Sequence, residues 1–447
     1  MWAPEPKVIV VKISVIGCGY LGAVHAASMA HLGHEVVGID VDEARVATLA
    51  AGVAPFHEPG FDALLQENLP RLRFTTDMSA VKDSTVHFIA VGTPQAANGS
   101  ADMTYVNQAI ESLTHHLSPG DLVVGKSTVP VGTATTLAEI IAPTGAMLMW
   151  NPEFLREGFA VEDTLSPDRL VYGLPEGDRA DDARDLLDTV YEAILAQGTP
   201  RLLVNYATAE LVKVAANSFL ATKISFINAM AEIADVTGAN VTQLADAIGH
   251  DNRIGRRFLN AGIGFGGGCL PKDIRGFVAR AEELGVGESL AFLKDVDDIN
   301  LRRRRRVPAI LEEELGDLSG KRIALWGLAF KPDSDDIRDS PALDIAESLA
   351  RAGAIVTAFD PAAHGPASKR VTAAGLQDSI LFATSPADAA TGANGIVVAT
   401  EWPVFRDQNP EAIAPLVNTP LVVDGRNCLP ESQWKAAGFT YRGMGRS

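Results

Sequence analysis

The sequence predicts an α/β protein in which two parallel-sheet domains are joined by a helical central domain. Both ends of the chain alternate short apolar, β-branched runs with helical segments, which is typical of strands buried on both faces of a parallel sheet. Between them, residues 207–237 form a helical pattern without proline or internal glycine. The 447 residues suffice for two or three cores. We expect domains over residues 1–204, 205–305 and 306–447.

Composition narrows the possible partners. A formal net charge of −18 argues against binding of a nucleic acid or an anionic membrane by the overall charge of the protein surface. The three cysteines, Cys18, Cys269 and Cys428, are widely spaced and form neither a disulfide framework nor a zinc pattern. The N-terminal stretch lacks the apolar run of a signal peptide, and no stretch approaches the roughly 18 apolar residues of a membrane span. We expect a cytoplasmic protein without a bound metal.

The first domain begins with a strand, a glycine loop and a helix. Val8–Ile16 is the strand, Gly17–Gly22 follow as G-C-G-Y-L-G, and a second strand, Glu35–Ile39, ends at Asp40. Glycines at these positions allow a tight turn and the close approach of a pyrophosphate to the helix N-terminus. Asp40 is placed to bond ribose hydroxyls, which favours NAD over NADP. The segment predicts a Rossmann-like unit that binds NAD.

Polar residues follow three further strands of this domain. The predicted strands are Val86–Val91, Leu122–Lys126 and Met147–Trp150. Ligands of open α/β sheets bind at the carboxyl ends of the strands, so Thr93, Thr128 and Glu153 are candidates to line the nicotinamide side. For the two threonines, turn or helix capping is the alternative interpretation.

The long helical pattern is apolar around most of its circumference, so we expect a strut buried between domains or against a second subunit. Lys213 and Asn217 are four residues apart and share a face. Polar groups within such an apolar stretch need partners. The alternative is a surface stripe from which Lys213 reaches the solvent.

Residues 264–273 read G-F-G-G-G-C-L-P-K-D. Cys269 stands where the glycines give way to a predicted helix, with Pro271 near the first helical position. The positive end of that helix favours a thiolate over a thiol, and glycines 266–268 allow backbone to approach a ligand closely. Asp273 would share the face of Cys269. A buried structural thiol is the alternative.

The remaining chain repeats the α/β pattern after a basic run. A helical segment, Gly276–Asn300, leads into Arg302–Arg306, which we interpret as a solvated run offset by nearby glutamates. The strands predicted beyond it are Lys321–Trp326, Ile355–Phe359, Gly395–Ala399 and Leu421–Val423, with a helix at Ala342–Ala352.

Three basic residues lie where this second sheet would bind an anion. Lys331 and Arg338 lie in the loop region after its first strand, and Arg426 follows its last strand. For each of them alone, a surface salt bridge is the alternative.

Segments from nearly the whole chain together resemble the UDP-glucose/GDP-mannose dehydrogenase family. They are Val15–Gly22, Val91–Pro94, Ser127–Gly132, Asn151–Gly158, Glu210–Asp235, Gly264–Asp273, Gly327–Lys331 and Asp424–Asn427. Val212–Ile227 and Gly327–Pro341 look like the UDP-glucose branch in particular.

The resemblance implies an NAD-dependent, four-electron oxidation of UDP-glucose to UDP-glucuronate. Cys269 would trap the intermediate aldehyde as a thiohemiacetal, and a second hydride loss would leave a thioester for water to hydrolyse. Lys213, Asn217 and Asp273 match the polar cluster around that sulfur. Thr128 and Glu153 match residues that position water and substrate, with Glu153 a candidate base in hydrolysis.

The resemblance also implies the binding residues and a homodimer or higher homo-oligomer. Arg253 would be supplied across the dimer interface, and the long central helix would be the dimer core. The implied NAD contacts are Gly17, Gly19, Tyr20, Leu21, Gly22, Asp40, Arg45, Thr93, Thr128, Glu157 and Arg338. The implied sugar-nucleotide contacts are Glu153, Phe154, Leu155, Arg156, Lys213, Asn217, Arg253, Asn260, Phe265, Gly266, Lys331 and Arg426.

Three alternative functions remain open at this point. The same chemistry could act on another nucleotide-sugar, such as a UDP-N-acetyl sugar or GDP-mannose. A single-step alcohol dehydrogenase, in which Cys269 is structural, would yield one NADH and release an aldehyde. A non-catalytic nucleotide-sugar sensor would turn over nothing.

Overall fold

The structure, a computed structural model, describes residues 9–446. Residues 1–8, which include the first residue of the predicted strand Val8–Ile16, and Ser447 lie outside the described residues. The chain divides into two compact units. The first comprises the residues up to Ala216 with Glu282–Leu284, and the second comprises Asn217–Ala281 with the residues from Gly285 onward. The predicted three-domain division stays a prediction.

The first unit contains an eight-stranded sheet in the order β3-β2-β1-β4-β5-β6-β7-β8. Its strands are β1 (Lys12–Ile16), β2 (Glu35–Ile39), β3 (Leu72–Thr75), β4 (Val86–Ile89), β5 (Leu122–Gly125), β6 (Met147–Trp150), β7 (Leu170–Leu174) and β8 (Arg201–Asn205). Strands β1–β6 are parallel, in the 3-2-1-4-5-6 order of dinucleotide-binding sheets. The predicted Rossmann-like sheet is confirmed over these six strands.

The last two strands depart from the predicted parallel pattern. β7 is antiparallel to β6, and β8 is parallel to β7. An antiparallel neighbour begins at the edge where the previous strand ends. The segment between Trp150 and Leu170 therefore stays at the carboxyl edge of β6. Glu153 and the residues after it thus lie on the side of the sheet where ligands bind.

Helices cover both faces of this sheet, and this explains why its strands are apolar without alternation. Ile13 and Val15 of β1 belong to one hydrophobic cluster, and Ile16 belongs to another on the opposite face. The helices of this unit are α1 (Tyr20–His31), α2 (Glu43–Ala50), α3 (Phe61–Asn68), α4 (Thr104–Thr114), α5 (Thr133–Ile141), α6 (Ala160–Leu165), α7 (Arg179–Val190), α8 (Glu192–Ala196) and the start of α9 (Tyr206–Thr237). Short 3₁₀ helices are Leu69–Arg71, Met78–Asp83 and Ala142–Thr144.

Helix α9 runs for 32 residues, as the long uninterrupted pattern predicts. In the second unit it buries Ala221, Ile227 and Ala231. Other apolar side chains on the same helix are exposed: Phe219 by 67%, Phe226 by 49% and Ile233 by 52%. These three are spaced by seven residues and so form one stripe along the helix.

The second unit combines helices with a six-stranded parallel sheet in the order β11-β10-β9-β12-β13-β14. The order repeats that of β1–β6, which confirms the second predicted parallel sheet. Its strands are β9 (Arg322–Trp326), β10 (Ile355–Phe359), β11 (Ile380–Phe382), β12 (Gly395–Val398), β13 (Leu421–Asp424) and β14 (Thr440–Gly443). Its helices are α10 (Val241–Gly249), α11 (Leu270–Glu283), α12 (Phe292–Arg304), α13 (Arg306–Leu315), α14 (Pro341–Arg351), α15 (His364–Ala373), α16 (Pro386–Ala390), α17 (Pro403–Arg406), α18 (Pro410–Ile413) and α19 (Glu431–Ala436), with 3₁₀ turns at Gly287–Leu290 and Ala414–Leu416.

The helix predicted over Gly276–Asn300 is interrupted between α11 and α12. Gly285 follows the end of α11 with φ of +76°, and the N–H of Val286 donates to the carbonyl of Ala281 at 2.9 Å. This is a glycine C-cap of the Schellman type, which ends the helix.

The arginine run is not wholly solvated, so this interpretation is wrong for two of its members. Arg303 and Arg304 are only 1% and 6% exposed. Arg303 donates to the carbonyl of Gly262 at 3.2 Å, and Arg304 pairs with Asp339 at 2.7 Å. Consecutive residues on a helix point in different directions, so some members of the run face the packed side of α12.

Within the part of the chain that the structure describes, no helix combines the length and the apolarity that crossing a membrane requires.

Candidate active site

The turn between β1 and α1 has the geometry of a phosphate-binding loop. A Cβ on Gly22 would lie 1.8 Å from the carbonyl oxygen of Gly17, so only glycine allows the helix to pack this closely. Gly19 is the N-cap of α1, and no side chain caps this helix end. Among the described residues, apart from its chain neighbours and the backbone of α1, none has an atom within 4 Å of the place where a Cβ on Gly19 would stand. The first N–H groups of α1 therefore face open space suited to a pyrophosphate.

Asp40 follows β2 at the position expected for a ribose-binding carboxylate. It is 7% exposed and accepts hydrogen bonds from the N–H groups of Cys18 at 2.7 Å and Asp42 at 3.0 Å. Arg45 donates to both of its carboxylate oxygens at 3.0 Å. Carboxylate oxygens can each accept more than one bond, so Asp40 retains capacity for ribose hydroxyls. These residues fit NAD, which would accept hydride from the substrate carbon.

The loops after β4 and β5 meet, as their shared edge predicts. The hydroxyl of Thr93 donates to the carbonyl of Thr128 at 2.8 Å. Thr93 is 7% exposed and Thr128 is half-buried. Two predicted cofactor contacts therefore lie side by side at the carboxyl edge of the sheet.

The buried Lys213 forms an ion pair with the half-buried Glu153. The Nζ of Lys213 lies 2.9 Å from Oε1 of Glu153, and Lys213 is 4% exposed. The other oxygen of Glu153 accepts the N–H of Leu155 at 2.5 Å. The alternative in which Lys213 reaches the solvent is therefore wrong. The resemblance implies that Glu153 is a candidate base and that Lys213 belongs to the polar cluster around Cys269, and these roles stay predictions.

Cys269 immediately precedes α11 in the second unit. Its carbonyl accepts the N–H of Asp273 at 2.9 Å, which makes Cys269 the N-cap, and Pro271 is the second helical residue. The cysteine is exposed, so the alternative of a buried structural thiol is wrong. The N-terminus of a helix stabilises negative charge, and this suits a thiolate nucleophile.

Asp273 and Asn217 form the polar group that accompanies this helix. Asn217 donates from Nδ2 to Oδ2 of Asp273 at 2.6 Å, and the two residues are 8% and 4% exposed. Lys272 lies 2.8 Å from the other oxygen of Asp273. The predicted association of Asn217 with Asp273 is present in the structure.

The glycines before Cys269 allow close packing by the protein itself, and their predicted role in ligand approach stays a prediction. A Cβ on Gly266 would lie 2.2 Å from the carbonyl of Asp339, and one on Gly268 would lie 2.2 Å from the guanidinium carbon of Arg338. The space that these glycines leave is therefore filled by the loop that precedes α14. They allow protein backbone, rather than a ligand alone, to approach the cysteine segment.

Arg426 binds the backbone around this same segment. It donates to the carbonyls of Ala399 at 2.8 Å, Gly264 at 2.8 Å and Phe330 at 3.1 Å. The half-buried Lys331 lies 5.3 Å from the ring of Phe330. The basic residues predicted for nucleotide-sugar binding thus cluster at the carboxyl ends of β9, β12 and β13. Their ligand contacts stay predictions.

Several predicted contacts lie outside these groups. Arg253 has a side chain that is 89% exposed, and it pairs with Asp251 at 2.7 Å. Asn260 accepts from Arg256 at 2.8 Å, and Phe265 is buried. Arg338 pairs with Asp336 at 2.7 Å. In the first unit, Phe154 stacks with Arg169, Arg156 pairs with Asp163, and Leu21, Leu155 and Glu157 are half-buried.

Two buried glutamates that sequence reasoning missed hold the site loops of the first unit. Glu58 is 4% exposed and accepts the hydroxyl of Tyr20 and the N–H groups of Gly158 and Ala160, both at 2.7 Å. Glu210 is 2% exposed and accepts two N–H groups at the start of α5. The sequence did contain a signal for Glu210, because it is an acidic residue within the apolar pattern of α9, three residues before Lys213.

Lys126 is a third missed residue, and it lies directly after β5. It is 7% exposed, and its ammonium donates to Oδ1 of Asn151 at 3.0 Å and to the hydroxyl of Tyr191 at 3.4 Å. Burial lowers the pKa of Lys126 to about 8, and the nearby Glu153 opposes that shift. Cys18, by contrast, is buried beneath the glycine loop, and burial raises the pKa of its thiol.

Across residues 9–446, no cluster of His, Cys, Asp and Glu side chains is arranged to hold a metal ion.

The dinucleotide turn, the carboxylate at the expected ribose site and the second sheet of the same order define a two-sheet NAD-dependent oxidoreductase. Models of the UDP-glucose/GDP-mannose dehydrogenase family match the chain in three parts. They are its NAD binding domain over residues 11–195, its central domain over 207–302 and its UDP binding domain over 324–431.

Individual proteins agree with these matches. The chain is 39% identical over 443 residues to the UDP-glucose 6-dehydrogenase TuaD of Bacillus subtilis, covering 97% of this chain and 93% of that one. It is 40% identical over 451 residues to a UDP-glucose 6-dehydrogenase of Pseudomonas aeruginosa, covering 97% of each. The structure of a UDP-glucose dehydrogenase from Pyrobaculum islandicum matches with a TM-score of 0.90 at 37% identity, covering 100% of both chains.

The chain belongs to the UDP-glucose/GDP-mannose dehydrogenase family and uses NAD. The predicted family, fold class, enzyme class and cofactor are confirmed.

Proposed function

We propose that the protein oxidises the C6 alcohol of UDP-glucose to the carboxylate of UDP-glucuronate, with Cys269 as the covalent nucleophile. The observation that carries the covalent step is the exposed thiol of Cys269 at the N-terminus of α11, one turn from the buried Asp273. UDP-glucose is supported by the similarity to proteins named UDP-glucose 6-dehydrogenases and by the UDP binding domain match.

The first oxidation removes a hydride from C6 and a proton from its hydroxyl. The Cys269 thiolate then adds to the carbonyl carbon of the aldehyde, which forms a C–S bond and places the negative charge on oxygen. We assign the stabilisation of that oxyanion to Lys213, whose burial makes its charge more effective. Attachment to the protein prevents the aldehyde from leaving.

Loss of a second hydride from the thiohemiacetal leaves a thioester on Cys269. A water then attacks the acyl carbon, the C–S bond breaks, and the thiolate is regenerated. We assign the orientation and deprotonation of this water to Glu153, held by Lys213 at 2.9 Å, or to Asp273, held by Asn217 at 2.6 Å. The net reaction consumes one water and transfers two hydrides for each sugar.

The test measures NADH formed per UDP-glucose consumed and identifies the product. We expect two NADH and UDP-glucuronate. One NADH with a released aldehyde would establish the single-step alternative, and no turnover with UDP-glucose, UDP-N-acetyl sugars and GDP-mannose would establish the sensor. Turnover only with one of the latter sugars would move the proposal to that substrate.

The variant Cys269→Ser tests the covalent step. It should bind NAD and UDP-glucose but form no UDP-glucuronate, because an alcohol side chain is a poor nucleophile without the low pKa of a thiol. Cys428→Ser is the matched control, since Cys428 is half-buried and hydrogen-bonded to Asp424. Full activity in Cys269→Ser would contradict the covalent proposal.

We also propose that the protein assembles as a homodimer through α9. The support is the exposed stripe of Phe219, Phe226 and Ile233, because contiguous exposed apolar side chains mark interaction surfaces. Arg253, 89% exposed, would complete the site of the other protomer.

A further inference from the structure

Helix α5 begins directly after the loop that carries Thr128, and its own sequence provides no cap. Its N-cap is Gly132, which has no side chain, and no acidic residue occupies its first turn. The first N–H groups of a helix have no partners within the helix. A group from elsewhere in the first unit must therefore satisfy them.

Glu210 is that group. Its Oε2 accepts the N–H of Gly132 at 2.7 Å, and its Oε1 accepts the N–H of Ala134 at 2.6 Å. A carboxylate at this end of a helix also complements the helix dipole, and charge-assisted bonds of this kind are the stronger class. Because Glu210 is only 2% exposed, water does not compete for these bonds.

The location of Glu210 connects this cap to the site. It lies on α9, three residues before Lys213, and residues three apart on a helix are neighbours on its surface. Lys213 in turn holds Glu153 at 2.9 Å. The loop of Thr128 is therefore fixed at one end by β5 and at the other end by the helix that carries Lys213.

We propose that Glu210 is a positioning residue, which holds the Thr128 loop in register with Lys213 during the reaction. This inference rests on the proposed function, because Thr128 and Lys213 matter to it as reaction groups. A shift of about 1 Å in a catalytic group can reduce the rate about 100-fold. Without Glu210 the loop keeps the bond from Thr93 to the carbonyl of Thr128 but loses its attachment at Gly132 and Ala134, which permits such a shift.

The variant Glu210→Gln tests this role with little change in shape. An amide has one acceptor oxygen, so it keeps one of the two bonds and turns an NH₂ group toward the other N–H. We expect kcat to fall between about tenfold and 100-fold. The KM for NAD should change by a smaller factor than kcat, because Gly22 and Asp40 are not touched and only the implied contact of Thr128 is affected.

Asp121→Asn is the matched control. Asp121 is 8% exposed and accepts the N–H of Ser118 at 2.7 Å, but it precedes β5, at the end opposite to Thr128. Removing this buried charge should lower the melting temperature. It should leave kcat unchanged when activity is assayed well below the unfolding midpoint of the variant. If Glu210→Gln does not fold, Glu210→Asp keeps the charge on a shorter side chain and should give an intermediate kcat.

Hydrogen exchange provides a readout that does not depend on the substrate. Peptides covering residues 127–134 should exchange faster in Glu210→Gln than in the wild type, and should be unchanged in Asp121→Asn. Unchanged exchange there, or a wild-type kcat in Glu210→Gln, would overturn the inference, as would an equal loss of kcat in both variants. Failure of the proposed function would be seen separately, as a wild type that does not oxidise UDP-glucose.

Discussion

The buried Lys126 makes a quantitative prediction about pH and stability. Its folded-state pKa is about 8, compared with an ordinary value of 10.5. The unfolded chain therefore binds more protons than the folded chain between these two values, and the free energy of unfolding must rise with pH across this window. Protonation at lower pH costs stability because it charges a lysine enclosed by Asn151 and Tyr191.

The magnitude follows from the shift. Each pKa unit corresponds to about 1.4 kcal/mol, so a shift from 10.5 to about 8 is worth about 3.5 kcal/mol in full. About 2.5 kcal/mol of that should be recovered between pH 7 and pH 10, because the lysine is still partly protonated in the unfolded chain at pH 10. Lys126→Met removes the contribution without removing every partner of Asn151, whose Oδ1 also accepts the hydroxyl of Tyr191 at 2.9 Å.

The assay is urea unfolding of the wild type and Lys126→Met at pH 7, 8, 9 and 10. The difference in unfolding free energy, wild type minus variant, should increase by about 2.5 kcal/mol from the lowest to the highest pH. Lys82→Met, at an exposed lysine, is the control and should show no such trend. A wild-type minus Lys126→Met difference that is constant or decreases with pH would refute the reasoning.

Two further predictions concern the proposed dimer. Phe226→Glu places a charge in the apolar stripe of α9 and should shift the protein toward the monomer in light scattering. Phe292→Glu is the control, at a phenylalanine that is 50% exposed on α12, and should leave the dimer intact. A dimer that survives Phe226→Glu contradicts the interface. Co-expression of Arg253→Ala with Cys269→Ser should restore about a quarter of wild-type kcat, because half of the dimers are mixed and each has one complete site. Each variant alone should be inactive, and no restoration in the mixture would mean that Arg253 acts within its own protomer.

The parts of the fold that the sequence predicted best are the strands buried on both faces. The strands predicted at Glu35–Ile39, Met147–Trp150 and Ile355–Phe359 coincide with β2, β6 and β10. Helices cover both faces of such strands, so most of their residues are apolar and the run is easily recognised, although β2 begins with Glu35 and β10 contains Thr357. The edge strand β8 is largely exposed along its length, and it was not predicted, because its apolar run is only three residues long.

The direction of a strand relative to its neighbour was harder to predict than its position in the sequence. A strand looks the same in sequence whether its neighbour is parallel or antiparallel, so the reversal at β7 depends on where the preceding segment leads. That segment contains only the six-residue helix α6 and stays at the carboxyl edge of the sheet. The same reversal is what brings Glu153 and Gly158 into one loop beside the dinucleotide turn.

Charged residues show where sequence reasoning stops. A charge within an apolar helix indicates that a partner exists, and on that basis Lys213 and Asn217 were selected correctly as residues with buried partners. The identity of the partner depends on the path of the chain. Glu210 bonds the backbone of residues more than 70 positions earlier, and backbone N–H groups leave no trace in the sequence.

The arginine run illustrates the same limit from the opposite side. Five adjacent positive charges indicate a solvated helix, yet Arg304 is buried because Asp339 belongs to the loop that fills the space left by Gly266. That packing also places the cysteine segment, since Gly266 and Cys269 are three residues apart. Arg304 therefore pairs with an aspartate of the loop that packs against the glycines before Cys269. The burial of Arg304 thus depends on an aspartate from a separate loop, which the arginine run itself does not indicate.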